Sequence, residues 1–351
     1  MDETVYDSAT LLGVFWADDY MEPPENYWLS TFFPTEVTFD TEEVDFSKIS
    51  DVRKLAPLVV PTAQGVPMYS AAERLAVVKP AYIKPKDPVT ASRMIRRAAG
   101  LGELGRARKK LTPAQRYAAI VADVIRQHRF AIERRWEWMA AAAVLDGKVL
   151  LKDDRYPERL VDFERDPTHT IALGAGARWG DAGVSILESI FGMRQKVRKA
   201  KFGGVTNRLT VGADVWAVMR QDPEIREFLN TQYKSGANVN LKMGMLEGLE
   251  VEYVGNIETL DIYVYSDFYE QADGTAVPYM SPKDVVLTGG NVKGVRCFGA
   301  IQDKGANLQP LPVFVKQWDE QDPSVTFIMS QSAPLMVPVN PNNTLKATVV
   351  A

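Results

Sequence analysis

One uninterrupted helical pattern constrains the fold of this 351-residue chain more than any other feature. Thr112, Pro113 and Gln115 form a capping-box start, in which the Thr and Gln side chains bond to amides that the first helical turn leaves unpaired. No Gly or Pro follows until Gly147, which is placed to act as the C-terminal cap. The sequence therefore predicts a helix over 112–147 that spans roughly 50 Å.

This predicted helix is amphipathic, and we call it the spine helix. Apolar residues recur at helical spacing, namely Tyr117, Ile120, Val121, Val124, Ile125, Ile132, Trp136, Met139 and Ala143. The opposite face carries Asp123, Arg126, Gln127, Glu133, Arg134 and Glu137. An apolar stripe of this length must be covered by other parts of a core.

The composition is ordinary for a soluble protein, with 46% hydrophobic and 25% charged residues. The acidic N-terminus does not look like a signal peptide, and no stretch is long and apolar enough for a membrane span. Cys297 is the single cysteine, which excludes an internal disulfide and fits a cytosolic origin. Because its neighbours read as a strand, we interpret Cys297 as a small buried side chain rather than a nucleophile.

The net charge of -4 conceals two segments of opposite sign. Residues 1–51 contain thirteen Asp and Glu against one Lys, whereas residues 52–110 contain thirteen Lys and Arg against three acids. Segregation of this kind is typical of arms or partner-binding surfaces. The basic tract 93–110 could contact nucleic acid, but it lacks interleaved aromatics and the overall pI is near 5.5.

The acidic segment 1–51 is also rich in aromatic residues, which disordered tails usually lack. One interpretation is an extended arm whose rings pack on another surface. An equally weighted alternative is a first layer of the chain's own core. The next segment predicts a two-stranded ribbon, with strands at 55–60 and 74–83 around a connection at 61–71. Prolines in both strands favour an exposed ribbon.

The remaining pattern after the spine helix predicts an α+β fold, without repeats and without alternating βαβ units. Helices are predicted at about 183–200, from Ala213 and from Asp222. Strands are predicted at 148–151, 160–163, 207–211, 285–287, 295–301, 313–318, 325–329 and 344–350, with strand-like runs over 249–269 of which 260–265 is the strongest.

Candidate chemistry is scarce. His128 lies within the spine helix, and His169 has no cysteine or carboxylate at ligand spacing, so we predict no metal site. Glycines in 171–180 match neither the dinucleotide nor the Walker pattern, so we predict no cofactor site. No catalytic residue stands out, and the chain is predicted not to be an enzyme.

Several strings in the chain resemble, in the same order, the major capsid proteins of lambda-like tailed bacteriophages. They are Trp28-Leu29-Ser30-Thr31-Phe32-Phe33-Pro34, Ala81-Tyr82-Ile83-Lys84-Pro85-Lys86, Met94-Ile95-Arg96-Arg97, Leu145-Asp146-Gly147-Lys148, Gly294-Val295-Arg296, Gly299-Ala300-Ile301-Gln302-Asp303 and Gln331-Ser332-Ala333-Pro334-Leu335-Met336. No single string is diagnostic, but the ordered set runs from residue 28 nearly to the end.

The resemblance implies a Hong Kong 97-type capsid fold with five parts. These are an N-terminal arm (1–51), an extended β-ribbon loop (52–92), a peripheral domain with the spine helix (93–179), an axial domain (180–300) and a C-terminal segment that returns to the peripheral domain (301–351). The region 241–269 departs most from the family.

The resemblance also implies a function, which is that of a structural subunit of the virion. We expect the chain to form pentamers and hexamers in an icosahedral head, assembled in the host cytoplasm, with non-specific contact to packaged double-stranded DNA. A decoration protein, a scaffold and a portal are the further partners that the family suggests, and neither a membrane nor a cofactor is expected. The alternatives are an encapsulin-type compartment shell and a soluble α+β enzyme.

The charge split and the aromatic arm suggest where subunits meet. In a shell of identical copies, the acidic arm of one subunit could contact the basic loop region of the next. The predicted interface residues are Trp28, Phe32, Phe33, Glu36, Glu42, Glu43, Arg93, Arg96 and Arg97.

Overall fold

The predicted spine helix is confirmed in the computed structural model, where it runs from Pro113 to Asp146. The Thr112 hydroxyl accepts the Gln115 N–H at 3.2 Å, and Gln115 Oε1 accepts the Thr112 N–H at 3.0 Å, which confirms the capping box. Gly147 follows in the left-handed conformation, with φ of 66°, and ends the helix as predicted. Both ends were therefore set by local sequence.

The structure describes residues 6–16, 26–41, 44–48, 74–90, 112–153, 156–201, 203–227, 239–241, 250–271, 273–290, 292–320 and 325–351. Within these residues the α-helices are α1 (Ser8–Phe15), α2 (Tyr27–Phe32), α3, the spine helix (Pro113–Asp146), α4 (Ile186–Lys199) and α5 (Ala213–Met219), with further helical residues at 223–227. Short 3₁₀ turns lie at Pro167–His169, Lys304–Ala306 and Pro341–Asn343.

The strands fall mostly after the spine helix. They are β1 (Thr35–Thr38), β2 (Val44–Lys48), β3 (Arg74–Val78), β4 (Lys86–Thr90), β5 (Lys148–Asp153), β6 (Tyr156–Asp162), β7 (Thr170–Ala172), β8 (Arg208–Val211), β9 (Val239–Leu241), β10 (Val251–Ile257), β11 (Leu260–Tyr265), β12 (Phe268–Glu270), β13 (Ala276–Pro278), β14 (Asp284–Thr288), β15 (Gly294–Phe298), β16 (Phe314–Glu320), β17 (Val325–Gln331), β18 (Pro334–Pro338) and β19 (Thr344–Thr348).

Most strands belong to three sheets. A mixed seven-stranded sheet has the order β7-β19-β14-β8-β11-β10-β9, and two three-stranded sheets have the orders β1-β15-β18 and β16-β17-β4. Strands β2 and β3, β5 and β6, and β12 and β13 form antiparallel pairs. Helices are not interleaved with strands in a βαβ series, so the predicted α+β class is confirmed.

Two main hydrophobic cores follow from this arrangement. The first surrounds the spine helix and contains side chains such as Ile120, Val124, Ile132, Phe298 and Leu335. The second lies between the seven-stranded sheet and helices α4 and α5, and contains Trp179, Ile190, Leu209, Trp216 and Ile262. The N-terminal helices α1 and α2 contribute their apolar side chains to the first core.

The predicted ribbon needs a correction. Strand β3 ends at Val78 rather than at residue 83, because Pro80 has no amide hydrogen with which to continue a ladder. In the structure β3 pairs with β2, with Val44 opposite Val78 and Lys48 opposite Arg74. The predicted partner strand at 55–60 lies outside the described residues. Beyond β3, Ile83 bridges to Ser332 and β4 pairs with β17, which the sequence did not predict.

Two acidic residues of the spine helix were placed on the wrong face by periodicity. Glu133 and Glu137 were expected on its polar side, but both are buried. Glu133 accepts a hydrogen bond from Arg129 Nε at 2.9 Å. Glu137 has a partner far away in the sequence, and it organises the region described next.

Candidate assembly surfaces and the junction of the N-terminal arm

Helix α2 is held against the spine helix by a buried carboxyl group. Glu137, which is 1% exposed, accepts the backbone N–H of Trp28 at 2.7 Å through Oε1 and that of Leu29 at 2.8 Å through Oε2. These amides belong to the first turn of α2, where no intrahelical carbonyl can pair with them. The two carboxyl oxygens therefore satisfy two orphan donors at the N-terminal end of the helix.

The other end of α2 is held by a cation from a different element. Arg296 of β15 donates from Nε to the carbonyl of Phe33 at 2.7 Å and from Nη2 to the carbonyl of Leu29 at 3.4 Å. A guanidinium near the last carbonyls complements the negative end of the helix. We call α2, Glu137 and Arg296 together the arm junction.

Burial determines the charge state of Glu137. Removal of the carboxyl group from water raises its pKa to about 8, against the opposing effect of the two amide hydrogen bonds. Asp267 adds to the rise, and Arg296 acts against it. Arg296 is itself partly buried, and desolvation lowers its pKa while Glu36 and Glu137 oppose that change.

The arm junction also reaches the seven-stranded sheet. The hydroxyl groups of Tyr27 and Thr210 lie 2.8 Å apart and share a hydrogen bond. The Arg208 guanidinium lies 4.3 Å from the centroid of the Tyr263 ring and 5.7 Å from that of Tyr27. Helix α2 therefore contacts the spine helix, β15 and the large sheet at one point.

The aromatic side chains of the arm are used inside the subunit. Trp28, Phe32 and Phe33 are buried in the first core, and the Trp28 ring lies 5.3 Å from that of Tyr265. This corrects the expectation that these three rings are free to contact a neighbouring subunit, because their surface is already covered by the chain itself. Residues 1–51 had been interpreted either as an extended arm or as a first layer of the chain's own core. Trp28, Phe32 and Phe33 belong to the chain's own core.

Only one of the predicted charged interface residues is described. Glu36 is exposed on β1, directly opposite Arg296 in the parallel pairing of β1 with β15. The other five residues, Glu42, Glu43, Arg93, Arg96 and Arg97, lie outside the described residues.

Sequence reasoning missed a second charged residue that organises the fold. Arg165 is buried and donates from Nη1 to the carbonyl of Val144 at 2.9 Å and from Nη2 to that of Leu145 at 2.8 Å. It thereby caps the C-terminal end of the spine helix, which has no basic residue in its own last turn. Burial lowers the pKa of Arg165 to about 10. Arg165 follows Gly147 by eighteen residues and comes after Lys148, Lys152, Arg155 and Arg159, so no sequence signal distinguished it.

The two histidines have structural environments. His128 is buried, with Nδ1 at 3.1 Å from Ser330 Oγ and Nε2 at 3.0 Å from Asp87 Oδ2, so it joins the spine helix to β17 and β4. His169 is buried, with Nδ1 at 2.9 Å from the carbonyl of Thr344. Burial lowers the pKa of both rings. Both therefore serve packing, as expected for His128.

The remaining candidate sites are also accounted for by structure. Burial raises the pKa of the Cys297 thiol to about 12, so a nucleophilic thiolate is disfavoured. In the Gly-rich loop, Asp181 Oδ2 accepts the N–H groups of Gly176 at 2.8 Å and Arg178 at 3.0 Å. Those amides are therefore bonded to the chain's own carboxylate. In the ranges that the structure describes, no His, Cys, Asp and Glu side chains cluster as a metal site would require, and no helix combines the length and apolarity of a membrane span.

Comparison with known proteins gives a consistent result. Over 320 residues the chain is 29% identical to the major capsid protein of Enterobacteria phage P21, covering 90% of this chain and 91% of that protein. It is 27% identical over 344 residues to the major capsid protein of Escherichia phage lambda, covering 97% of each. The crystal structure of a prophage capsid protein from E. coli CFT073 matches with a TM-score of 0.74 and 21% identity, over 99% of this chain and 100% of that one.

More distant structures share the fold, including the mature capsid of bacteriophage PhiM1, with a TM-score of 0.51 and 13% identity over 95% of this chain and 89% of that one. The predicted phage capsid fold is therefore confirmed. The model of the family described as phage major capsid protein E matches residues 19–349, nearly the whole chain. The relatives are structural head proteins rather than enzymes, and this chain belongs to the phage major capsid protein E family.

Proposed function

We propose that this chain is the major head subunit of a tailed phage and that its copies assemble into an icosahedral shell around double-stranded DNA. The observation that carries the proposal is the family match over residues 19–349 together with the capsid fold over the whole chain.

The proposed organisation of the subunit follows the parts expected from the resemblance. The arm would comprise residues 1–51, the extended loop 52–92, the peripheral domain 93–179, the axial domain 180–300 and the returning segment 301–351. One observation supports this division, which is that the second hydrophobic core lies largely within 180–300. The C-terminal strand β19 joins the two regions, because it pairs with β14 in the seven-stranded sheet while Lys346 Nζ lies 3.1 Å from Asp146 at the end of the spine helix.

The proposed partners are further copies of the chain, in pentamers and hexamers, and the packaged DNA. Assembly would take place in the host cytoplasm, with a scaffold, a portal and a decoration protein as the additional partners that lambda-like heads suggest. For the contact between copies, Glu36, Glu42 and Glu43 of one arm would face Arg93, Arg96 and Arg97 of the next subunit. The exposed position of Glu36 is compatible with this contact.

Expression of the full chain at high level tests the proposal. We expect closed particles, tubes or capsomers by negative-stain microscopy and by sedimentation, with a co-expressed scaffold where one is needed. Particles that retain nuclease-protected DNA in the presence of packaging components support the phage head. Particles that instead copurify with a cargo enzyme support the encapsulin-type alternative. A monomer at every concentration, with scaffold supplied, contradicts both.

A further inference from the structure

The hairpin that follows the spine helix has one buried face and one exposed face. Strands β5 and β6 pair so that Leu150 lies opposite Leu160 and Lys148 opposite Asp162. Val149, Leu151 and Val161 point inwards and are buried. The other face, which we call the outer face, consists of Lys148, Leu150, Lys152, Glu158, Leu160 and Asp162, all exposed.

Two leucines form the centre of the outer face. Leu150 is 43% exposed and Leu160 is 54% exposed, and they are direct cross-strand neighbours. The solvent side of a half-buried antiparallel pair normally carries polar residues. A single exposed leucine would need no explanation, but a facing pair makes one continuous apolar spot.

Charges of opposite sign border this spot in an ordered way. Strand β5 presents the cations Lys148 and Lys152, and β6 presents the anions Asp162 and Glu158. Asp162 lies directly opposite Lys148, whereas Lys152 lies at the register shift between Leu151 and Asp153. Lys152 Nζ lies 2.9 Å from Glu158 Oε2 within the subunit, with both side chains more than half exposed. Exposed ion pairs contribute little to folding, so subunit stability does not account for this pattern.

We propose that the outer face is a contact between two copies of this chain, related by a two-fold axis parallel to the strands. Rotation by half a turn about such an axis places β5 of one copy over β6 of the second without reversing the strand direction. The leucines then meet, Lys148 faces Asp162 of the second copy and Lys152 faces Glu158 of the second copy. The surface is thus complementary to itself, as an isologous contact requires.

The size of the outer face determines what this contact can do. Two strands about 4.8 Å apart and about 20 Å long give a face on the order of 200 Å². Stable dimers bury about 800 Å² on each partner, so the outer face cannot hold two subunits together alone. It can act as one of several contacts in a closed shell, and to that extent the inference rests on the proposed function.

A mixture of two charge-reversal variants tests whether the contact is between copies. Position 152 faces position 158 both within each subunit and across the two-fold axis. Lys152→Glu alone therefore places two negative charges at both contacts, and Glu158→Lys alone places two positive charges there. In a one-to-one mixture the opposite charges are restored across the axis only, while each hairpin keeps its own like-charged pair. The doubly reversed chain restores both and serves as the control.

We expect each single variant to assemble about tenfold less than the wild type, since like charges face each other twice in every contact. The mixture should recover most of the wild-type yield of particles. Unfolding temperatures of the separated subunits show that both variants fold. Single variants that assemble normally would overturn the inference, and so would recovery in the doubly reversed chain without recovery in the mixture.

A second measurement separates failure of this contact from failure of the proposed function. Assemblies of any form, whether shells, tubes or capsomers, are grown from a mixture of wild-type chain with natural nitrogen and chain labelled with ¹⁵N, and carbodiimide is added to join adjacent amines and carboxylates. Failure to form any assembly counts against the proposed function, whereas the cross-links within assemblies test this contact alone. A cross-link between Lys152 of one isotope and Glu158 of the other supports the contact. Cross-links confined to single isotopes overturn it.

Discussion

The carboxyl group of Glu137 is the residue on which the arm junction depends most. It is buried, it accepts two backbone amides of α2, and its pKa is raised to about 8. In the unfolded chain the same group titrates near 4.5. Between these two values the folded chain holds one more proton than the unfolded chain, so the stabilisation present below pH 4.5 is lost as the pH rises towards 8.

Replacement of Glu137 by Gln removes this titration. We expect the wild type to lose stability relative to Glu137→Gln between about pH 5 and pH 8, by up to about 1.4 kcal/mol per pH unit. Denaturant unfolding at several pH values measures the free energy of unfolding of both proteins. The difference between the two proteins isolates Glu137, because the other titrating groups contribute equally to both. Asp123→Asn, on the same helix but partly exposed, is the matched control. A pH-independent difference would mean that Glu137 stays ionised throughout.

The residue that ends the spine helix gives a second prediction. Gly147 has φ of 66°, and a Cβ there would lie 2.6 Å from Cβ of Arg165. Gly147→Ala should therefore destabilise the subunit by about 1–3 kcal/mol, through backbone strain and displacement of the Arg165 cap. Gly192→Ala in α4 meets open space and should stabilise by up to about 1 kcal/mol. Equal effects in thermal or denaturant unfolding would contradict the special role of Gly147.

At the scale of elements, α2 is too short to be stable by itself. Six residues cannot form an isolated helix in water, because nucleation is unfavourable and few hydrogen bonds follow it. Its order therefore depends on Glu137 at one end, on Arg296 at the other and on burial of its aromatic side chains. Loss of either partner should loosen the element locally rather than unfold the subunit.

Arg296→Met tests this dependence, since it keeps much of the side-chain volume and removes both bonds to the carbonyls of Phe33 and Leu29. We expect amide hydrogen exchange in α2 to accelerate by about tenfold or more, because the free energy of local opening of α2 decreases. Exchange in the middle of the spine helix should not change. Arg194→Met, at a guanidinium beside Glu258, is the control. Unchanged exchange in α2 would show that Glu137 and burial hold the helix without Arg296.

The sequence predicted elements better than it predicted contacts between them. The spine helix was correct at both ends because Thr112, Gln115 and Gly147 act within a few residues of themselves. Glu137 was assigned to the polar face because periodicity within a helix cannot reveal partners elsewhere in the chain. Its partners, Trp28 and Leu29, lie more than a hundred residues away. Strand β18 was missed since prolines stand at both ends, although it is buried throughout.

At the scale of the whole molecule, the segregation of charge remains the strongest sign of contact between subunits. A solitary subunit gains little from an acidic arm and a basic loop region in one chain. In a shell, complementary fields between neighbours steer encounter and select register. Because Trp28, Phe32 and Phe33 are buried inside the subunit, the proposed arm contact depends on charge more than the sequence suggested.

Charge reversal at Glu36, Glu42 and Glu43 should therefore impair assembly, and high salt should impair assembly of the wild type, since the screening length falls to about 3 Å near 1 M. Light scattering and particle yield across a salt series measure both effects.

Compensating reversal in the same chain should partly restore particle yield, at Arg93, Arg96 and Arg97. If the basic tract instead faces DNA, reversal there leaves empty shells intact and reduces only genome retention. A normal yield of empty shells from the acidic-arm variant at every salt concentration would contradict the contact between arm and loop.

The position of β19 has a consequence for biosynthesis. This strand, the last of those described, is inserted in the interior of the seven-stranded sheet between β7 and β14, rather than at its edge. Until Thr344–Thr348 leave the ribosome, β7 has no neighbour and β14 has an open side. A chain cut short before these residues therefore cannot complete the sheet. Complete synthesis of the chain is thus a condition for a complete seven-stranded sheet.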